Sequence, residues 1–301
     1  MSILMGFSFF ATKIALEMCH QEVILAWRFT LAFACMVILK MVGVIHSNFK
    51  GKSLLILVLI SMIYPVLSFF LETKGVNILP TSQAGVIMSL MPIIALVLGM
   101  IFLKEQPNIT QTVMLVLSVI GVGIITLSSN KSDIRGNAVG IMLLVGTASC
   151  GAVQTVMVRK MAATFSSVEI TFFMNFIAAI IYHINVLFVY GKSGMRMLMM
   201  PTDNLKCVLA LLYLGVGCSV VGFFCMNYVN SNLEAARAAV FTNLATVVSI
   251  LAGVLIGKDQ IGLIQLVGMI FIIFSVWGVN WFAQSDRRIG SQSANCDGSS
   301  H

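Results

Sequence analysis

Residues 103–111 read LKEQPNITQ, and residues 257–265 read GKDQIGLIQ. At a separation of 154 residues, the two stretches align a lysine, an acidic residue and two glutamines in a chain of which only 10% is charged. The same separation aligns Phe69-Phe70 with Phe223-Phe224 and Leu90 with Leu244, and a separation of 147 aligns Lys13 with Lys160, Glu22 with Glu169 and Phe29 with Phe176. Several of the matched residues are polar, so shared hydrophobicity does not explain them. The chain therefore contains two copies of one unit.

The composition is that of an integral membrane protein. Apolar residues make up 59% of the 301 positions, which exceeds what a solvated globular surface allows. The net charge of +7 comes from basic residues that stand singly or in pairs at the ends of apolar runs. That placement indicates membrane topology and not nucleic-acid binding.

Uncharged or nearly uncharged runs of a length that crosses a bilayer predict ten membrane-spanning helices. They occupy residues 2–16, 23–44, 53–71, 80–103, 109–127, 137–157, 168–190, 205–229, 233–256 and 261–282. The predicted fold is therefore an all-α integral membrane protein, with a first unit at 1–130, a second at 131–284 and a disordered polar tail at 285–301. Because each unit has five spans, the second enters the membrane from the opposite side, which predicts inverted-topology repeats.

The positive-inside rule predicts the orientation. Loops on the side of the two termini contain nine lysines and arginines, against seven in the opposite loops. The excess predicts that both termini are cytoplasmic in a multi-pass protein of the plasma membrane.

Three groups of residues carry a family resemblance. They are Gly6 with Lys13 and Ile14, the triplet Trp27-Arg28-Phe29, and the series Thr81, Gly85, Pro92, Lys104-Glu105, Gln111 and Gly121. Over residues 2–282 the chain resembles the EamA-domain transporters of the drug/metabolite transporter superfamily. The resemblance implies ten helices, export or exchange of small metabolites through a central cavity, and peripheral fifth and tenth helices. Departures from the pattern are Met5 in place of a tryptophan, Thr246 at the repeat position of Pro92, and Asn175 at that of Arg28.

Ionisable groups inside a membrane are costly and usually face a wet cavity or a partner. Lys13, Arg28 and Glu72 lie within or at the ends of the first three spans, and Glu17 is one turn from Lys13. These four charges cancel, and with Trp27 they predict an outer cluster that gates the cavity or binds a zwitterionic solute. Structural ion pairs and lysines that snorkel to the interface are the alternative.

Further candidates lie in other spans. Gln83 and Arg237 begin spans four and nine at repeat-related positions, although Arg237 has Glu234 as a nearby partner. Asn175 takes the repeat position of Arg28, and His183 is a mid-span group that titrates near neutral pH and offers a route for a coupling proton. Buried hydrogen bonding between helices is the alternative for both, and for the amides Gln154, Asn227 and Asn243.

The sequence favours a secondary transporter that moves a small neutral or zwitterionic metabolite, amino-acid-like or drug-like, by alternating access in the direction of export. Its expected partners are the solute, membrane lipid, and a coupling proton or counter-solute, in a monomer or homodimer. A channel and a non-transporting receptor or scaffold remain alternatives. The sequence contains no catalytic constellation such as H-E-x-x-H, no C-x-x-C pair and no metal-ligand spacing among its four histidines, so no enzyme, cofactor or metal site is predicted.

Overall fold

The structure is a computed structural model. It describes residues 2–49, 51–88, 90–103, 134–199 and 204–232, together with scattered positions between 109 and 124 and between 248 and 281. Within these residues all regular secondary structure is helical. Most of spans five, nine and ten lies outside the described residues, as do Arg237 and the polar tail. The count of ten spans therefore stays a prediction.

Eight helices are described. Seven of them correspond to spans one to four and six to eight, and the short helix α7 lies between spans seven and eight. Their bounds are α1 Ser2–Leu16, α2 Gln21–Met41, α3 with the consecutive segments Leu55–Ser61, Met62–Leu67 and Ser68–Ile78, α4 with the segments Thr81–Met88 and Met91–Leu103, α5 Ile134–Met161, α6 Ser167–Tyr190, α7 Gly194–Met199, and α8 with the segments Leu205–Leu212, Tyr213–Gly222 and Phe223–Asn232.

Six of these helices are long and apolar enough to cross a membrane. Large apolar side chains such as Met41, Met142 and Phe188 are mostly exposed at the outside of the bundle. In water such a surface would drive association, whereas in a bilayer it faces lipid. The described part of the chain is thus built for a membrane.

Two predicted boundaries need correction. The sequence placed Glu72 at the end of the third span. The helix in fact continues to Ile78, so Glu72 lies inside it. The charge does not end the helix because the side chain turns into the bundle, where it is only 5% exposed. The predicted loop at 191–204 contains the short helix α7. Gly191, with φ +53°, ends α6 before this short helix begins.

The third helix of each repeat is irregular at the same place. In α3, Tyr64 has the extended angles φ −142° and ψ 115° before Pro65, within a wide-turned segment Met62–Leu67. In α8 the wide-turned segment is Tyr213–Gly222, and a shift of 154 residues places the first segment inside the second. Pro65 lacks an N–H, and glycines favour departures from a regular helix, so both sequences weaken the helical ladder here.

Helix contacts run mainly between the repeats. The most extensive are those of α2 with α6 and of α3 with α5, and α8 packs on both α1 and α2. Spans two and seven are repeat mates, and the pairing of span three with span six mirrors that of span eight with span one. Each repeat therefore completes the packing of the other.

A glycine allows one of these contacts to be close. A Cβ added at Gly215 of α8 would lie 2.9 Å from the backbone oxygen of Arg28 and 2.9 Å from Cβ of Leu31. At Gly217, two residues on, the nearest atom would be 3.6 Å away, an ordinary van der Waals distance. The α8 backbone thus rests directly on α2 at Gly215.

We therefore expect Gly215→Ala to destabilise the protein by about 1–3 kcal/mol, since an added methyl in a filled contact forces the helices apart. Gly217→Ala is the matched control and should leave stability nearly unchanged. Thermal unfolding of the detergent-purified proteins measures both. Equal melting temperatures for the two variants would contradict the close packing of α8 on α2.

Candidate functional site

The side chain of Arg28 crosses from α2 to the irregular segment of α8. Arg28 is 1% exposed, and its Nε donates a hydrogen bond to Oγ of Ser219 at 2.9 Å. The Nη2 atom is buried and makes no hydrogen bond within the described residues. A permanently charged guanidinium with an unused donor can bind an anion or a carboxylate.

Aromatic rings surround the guanidinium. The Arg28 Cζ atom lies 4.1 Å from the ring centroid of Phe69 and 5.7 Å from that of Phe29. Phe69 and its repeat mate Phe223 are themselves 5.5 Å apart between centroids, and Tyr64 is 5.5 Å from each. The rings stabilise the cation by cation–π attraction and exclude water from it. Because repeat mates touch here, the cluster lies where the two repeats meet.

Glu72 supplies the opposite charge. It is buried on α3, and its carboxyl interacts electrostatically with Arg28. Within the described part of the chain the two groups are not joined in a direct ion pair. Two opposite charges that interact without direct contact can hold a zwitterion between them.

Asn175 extends the site on α6. It is fully buried, and Nδ2 donates to the backbone oxygen of Ser219 at 3.0 Å. Its Oδ1 is buried without a hydrogen-bond partner among the described residues. The repeat mates Arg28 and Asn175 therefore both bond to Ser219, one through its hydroxyl and the other through its carbonyl.

The sequence reasoning missed Ser219 and the aromatic enclosure. The match of Phe69 with Phe223 was visible, but a repeat match does not reveal that the two side chains touch. Pro65 inside span three and the glycines of span eight were the available signals of broken helices, which are where transporter sites form. A serine among apolar residues carries no comparable signal.

The remaining predicted residues lie elsewhere in the fold. Trp27 donates from Nε1 to the backbone oxygen of Leu198 at 2.7 Å and so holds α7 against α2. His183 is half-buried, with Nδ1 2.9 Å from the Ala179 oxygen and 3.3 Å from the Thr30 hydroxyl. These two side chains connect helices and do not contact Arg28.

Three further candidates belong to α1, the turn after it, and α4. Gln83 is buried at the start of α4. Lys13 is half-buried near the end of α1, and Glu17 is exposed in the turn that follows. Among the predicted residues that the structure describes, it thus joins Arg28 with Glu72 and Asn175. Among the described residues, no three potential metal ligands cluster.

Repeat-related carboxylates mark the two ends of the α2–α6 interface. At the N-terminal side, defined as the side at which α1 begins, Oε2 of Glu169 is 2.7 Å from Nζ of Lys52, and Oε1 accepts from the Asn48 N–H. At the opposite side, Glu22 accepts a hydrogen bond from the Tyr190 hydroxyl at 3.2 Å. We call these contacts the N-side latch and the far-side latch.

Comparison with known proteins places this arrangement in a family. The EamA-like transporter family matches residues 1–127 and 138–281, one match for each repeat. An uncharacterized transporter of Bacillus subtilis, YcxC, is 31% identical over 280 residues, covering 93% of this chain and 90% of that protein. An uncharacterized transporter of Archaeoglobus fulgidus is 23% identical, covering 90% of this chain and 93% of that protein.

A solved crystal structure shares the fold with a TM-score of 0.65 at 14% identity, covering 94% of this chain and 98% of the other. Two family matches, a relative above 30% identity and a bundle of bilayer-length apolar helices agree with one another. The chain belongs to the EamA-like transporter family of the drug/metabolite transporter superfamily and is a multi-pass membrane transporter with that family's two-repeat architecture.

Proposed function

We propose that the protein is a secondary transporter that carries a small neutral or zwitterionic metabolite, amino-acid-like or drug-like, out across the plasma membrane by alternating access. The observation that carries the proposal is the buried guanidinium of Arg28, which has an unused donor and lies where the repeats meet. A charge held so deep in a membrane protein marks a substrate or ion pathway.

The architecture we propose for this work is ten spans in two inverted repeats, at 1–130 and 131–284, with cytoplasmic termini. Two observations support it: the exchange of helix contacts between the repeats and the broken helices at repeat-related positions in α3 and α8. Inverted repeats with discontinuous helices at a midplane site are a common design of secondary transporters.

The charges around the site favour a solute with no net charge. Arg28 and Glu72 carry opposite signs and interact without a direct ion pair, so a carboxylate next to the former and an amine next to the latter would both be compensated. A phosphate-bearing solute would call for several cations, whereas Arg28 is the basic residue of this cluster. The aromatic rings offer contact to an apolar part of the solute.

Alternating access requires that each side of the protein open in turn, and each opening would break the latch on that side. Opening the N-side breaks a charge-assisted contact between Lys52 and Glu169, while opening the far side breaks a hydrogen bond between Tyr190 and Glu22. Both sit at ends of the same α2–α6 interface, so a rocking motion about the Arg28 cluster releases one and preserves the other. A solute that bridges Arg28 and Glu72 would bias this motion.

The first test is transport by reconstituted protein. Vesicles are loaded with one of a panel of unlabelled neutral amino acids, and counterflow of the labelled solute is measured. We expect saturable exchange that falls at least about tenfold in Arg28→Ala, because a charge-assisted bond is worth about 1.5–3 kcal/mol. Lys74→Ala removes an exposed cation of α3 and should exchange like the wild type.

Full exchange by a well-folded Arg28→Ala protein would overturn the assignment of Arg28. Steady ionic current without saturable, counter-solute-dependent flux would show a channel instead. Running the assay at two external pH values reports whether a proton is coupled.

A second test concerns the N-side latch. Lys52→Met leaves the buried Glu169 carboxylate without its cation, which should raise the frequency of local opening about tenfold or more. Hydrogen–deuterium exchange of residues 42–54 and 166–170 measures this opening. Lys160→Met is the control and should exchange like the wild type, since its ammonium lies over the Phe102 ring of α4 and not at the α2–α6 interface. Exchange equal to wild type in Lys52→Met would show that the contact does not close this side.

A further inference from the structure

We propose that a second, uncharged solute subsite, formed by Gln154, Asn227 and Asn230, lies between the Arg28 cluster and the N-terminal side. It binds the polar group of a neutral or zwitterionic solute before that solute reaches Arg28. The inference rests on the proposed transport function and adds a loading site to it.

The core of the subsite is a chain of hydrogen bonds across three helices. Nε2 of Gln154 on α5 donates to Oδ1 of Asn227 on α8 at 2.7 Å. Nδ2 of Asn227 in turn donates to the hydroxyl of Thr171 on α6 at 2.9 Å. Gln154 and Asn227 are each 1% exposed, and Thr171 is fully buried. The amides are therefore fixed in orientation by their bonds to one another.

Two side-chain atoms of the proposed subsite have no hydrogen-bond partner in the described part of the chain. Oε1 of Gln154 and Nδ2 of Asn230 are buried and have no hydrogen-bond partner among the described residues. Asn230 is three residues after Asn227 on α8, so the two side chains lie on the same face of the helix. A buried polar atom without a partner costs free energy, which is recovered when a ligand or water supplies the bond. One unused acceptor and one unused donor match a ligand that offers both.

The subsite continues to the Arg28 cluster along α6. Thr171 is one helical turn before Asn175, which bonds to Ser219, and Ser219 bonds to Arg28. The Oδ1 atom of Asn175 is another buried acceptor without a partner in the described part of the chain. Polar groups with unused hydrogen-bonding capacity thus extend from the end of α8 towards Arg28, as a solute path requires.

The repeat symmetry shows that this network is not required by the scaffold. A shift of 154 residues places Thr73 at the position of Asn227, and the Thr73 hydroxyl bonds back to the Phe69 oxygen of its own helix at 2.7 Å. A shift of 147 places Phe7 at the position of Gln154. The same helix positions in the first repeat therefore pack without a cross-helix amide network.

The chemistry of the subsite selects against net charge. Its side chains are amides and a hydroxyl, so a lone ion would be desolvated here without a counter-charge. An amide, a hydroxyl, or the ammonium and carboxylate of one amino acid would each find a donor and an acceptor. The class of ligand is thus the same as that proposed for the Arg28 cluster, and the two subsites act in series.

The test measures the kinetics of transport by reconstituted protein when solute is offered on the N-terminal side. Radiolabelled glycine, L-serine, L-glutamine and L-phenylalanine are used as separate probes. Gln154→Met replaces the amide with a thioether of similar length and should raise KM for solute offered on the N-terminal side about fivefold to tenfold, the effect of one lost hydrogen bond. Vmax should change less than twofold. Thr73→Val is the matched control and should keep both values within twofold of wild type.

An unchanged KM in Gln154→Met, or a fall in thermal stability without a change in KM, would overturn the subsite and leave the amides as packing contacts. If the wild type transports none of the probes, the proposed function fails for amino acids, and a second measurement decides the subsite. In Asn230→Cys, a membrane-impermeant thiosulfonate should label residue 230 from the N-terminal side alone, as read by mass spectrometry of the labelled peptide. Absence of label from that side would refute the subsite.

Discussion

The structure depends on burying one permanent positive charge inside an apolar bundle. An arginine cannot lose its proton, so the surroundings of Arg28 must replace the water it gives up. They do so with a hydroxyl on the broken part of α8, the faces of two phenylalanines and the field of Glu72. The replacement is incomplete, since Nη2 keeps an unused donor. In the proposed function, this unused donor is the group that binds the solute.

Satisfying Arg28 also explains why the helices cross as they do. Ser219 approaches α2 only because Gly215, one turn earlier, lets the α8 backbone touch that of α2. The wide turns of α8 and the break at Tyr64 in α3 bring Phe223 and Phe69 together at the centre. Broken helices are tolerated in a membrane where the freed polar groups face protein or a cavity. The site and the irregular backbone are therefore one feature.

Much of the fold was predictable because hydrophobic runs report where a chain crosses a bilayer. Spans one to four and six to eight were located to within several residues. Arg28, Glu72 and Asn175 were chosen as candidates because polar groups inside such apolar runs are costly. The contacts between helices were not predictable, since they join residues 44 to 191 positions apart and leave no local pattern. Ser219 and the linkage of Gln154 to Asn227 escaped for that reason. Glu72 was misplaced at a helix end because a charge usually marks one, and here burial beside Arg28 keeps it inside.

The central claim is that the two sides open alternately about the Arg28 cluster. Distances between nitroxide labels at His46 and Thr164, on the N-terminal side, and at His20 and Lys192, on the far side, test it by pulsed electron paramagnetic resonance. With a transported solute present, one distance distribution should lengthen as the other shortens. Distances that stay fixed at both ends, or that lengthen together, would contradict alternating access.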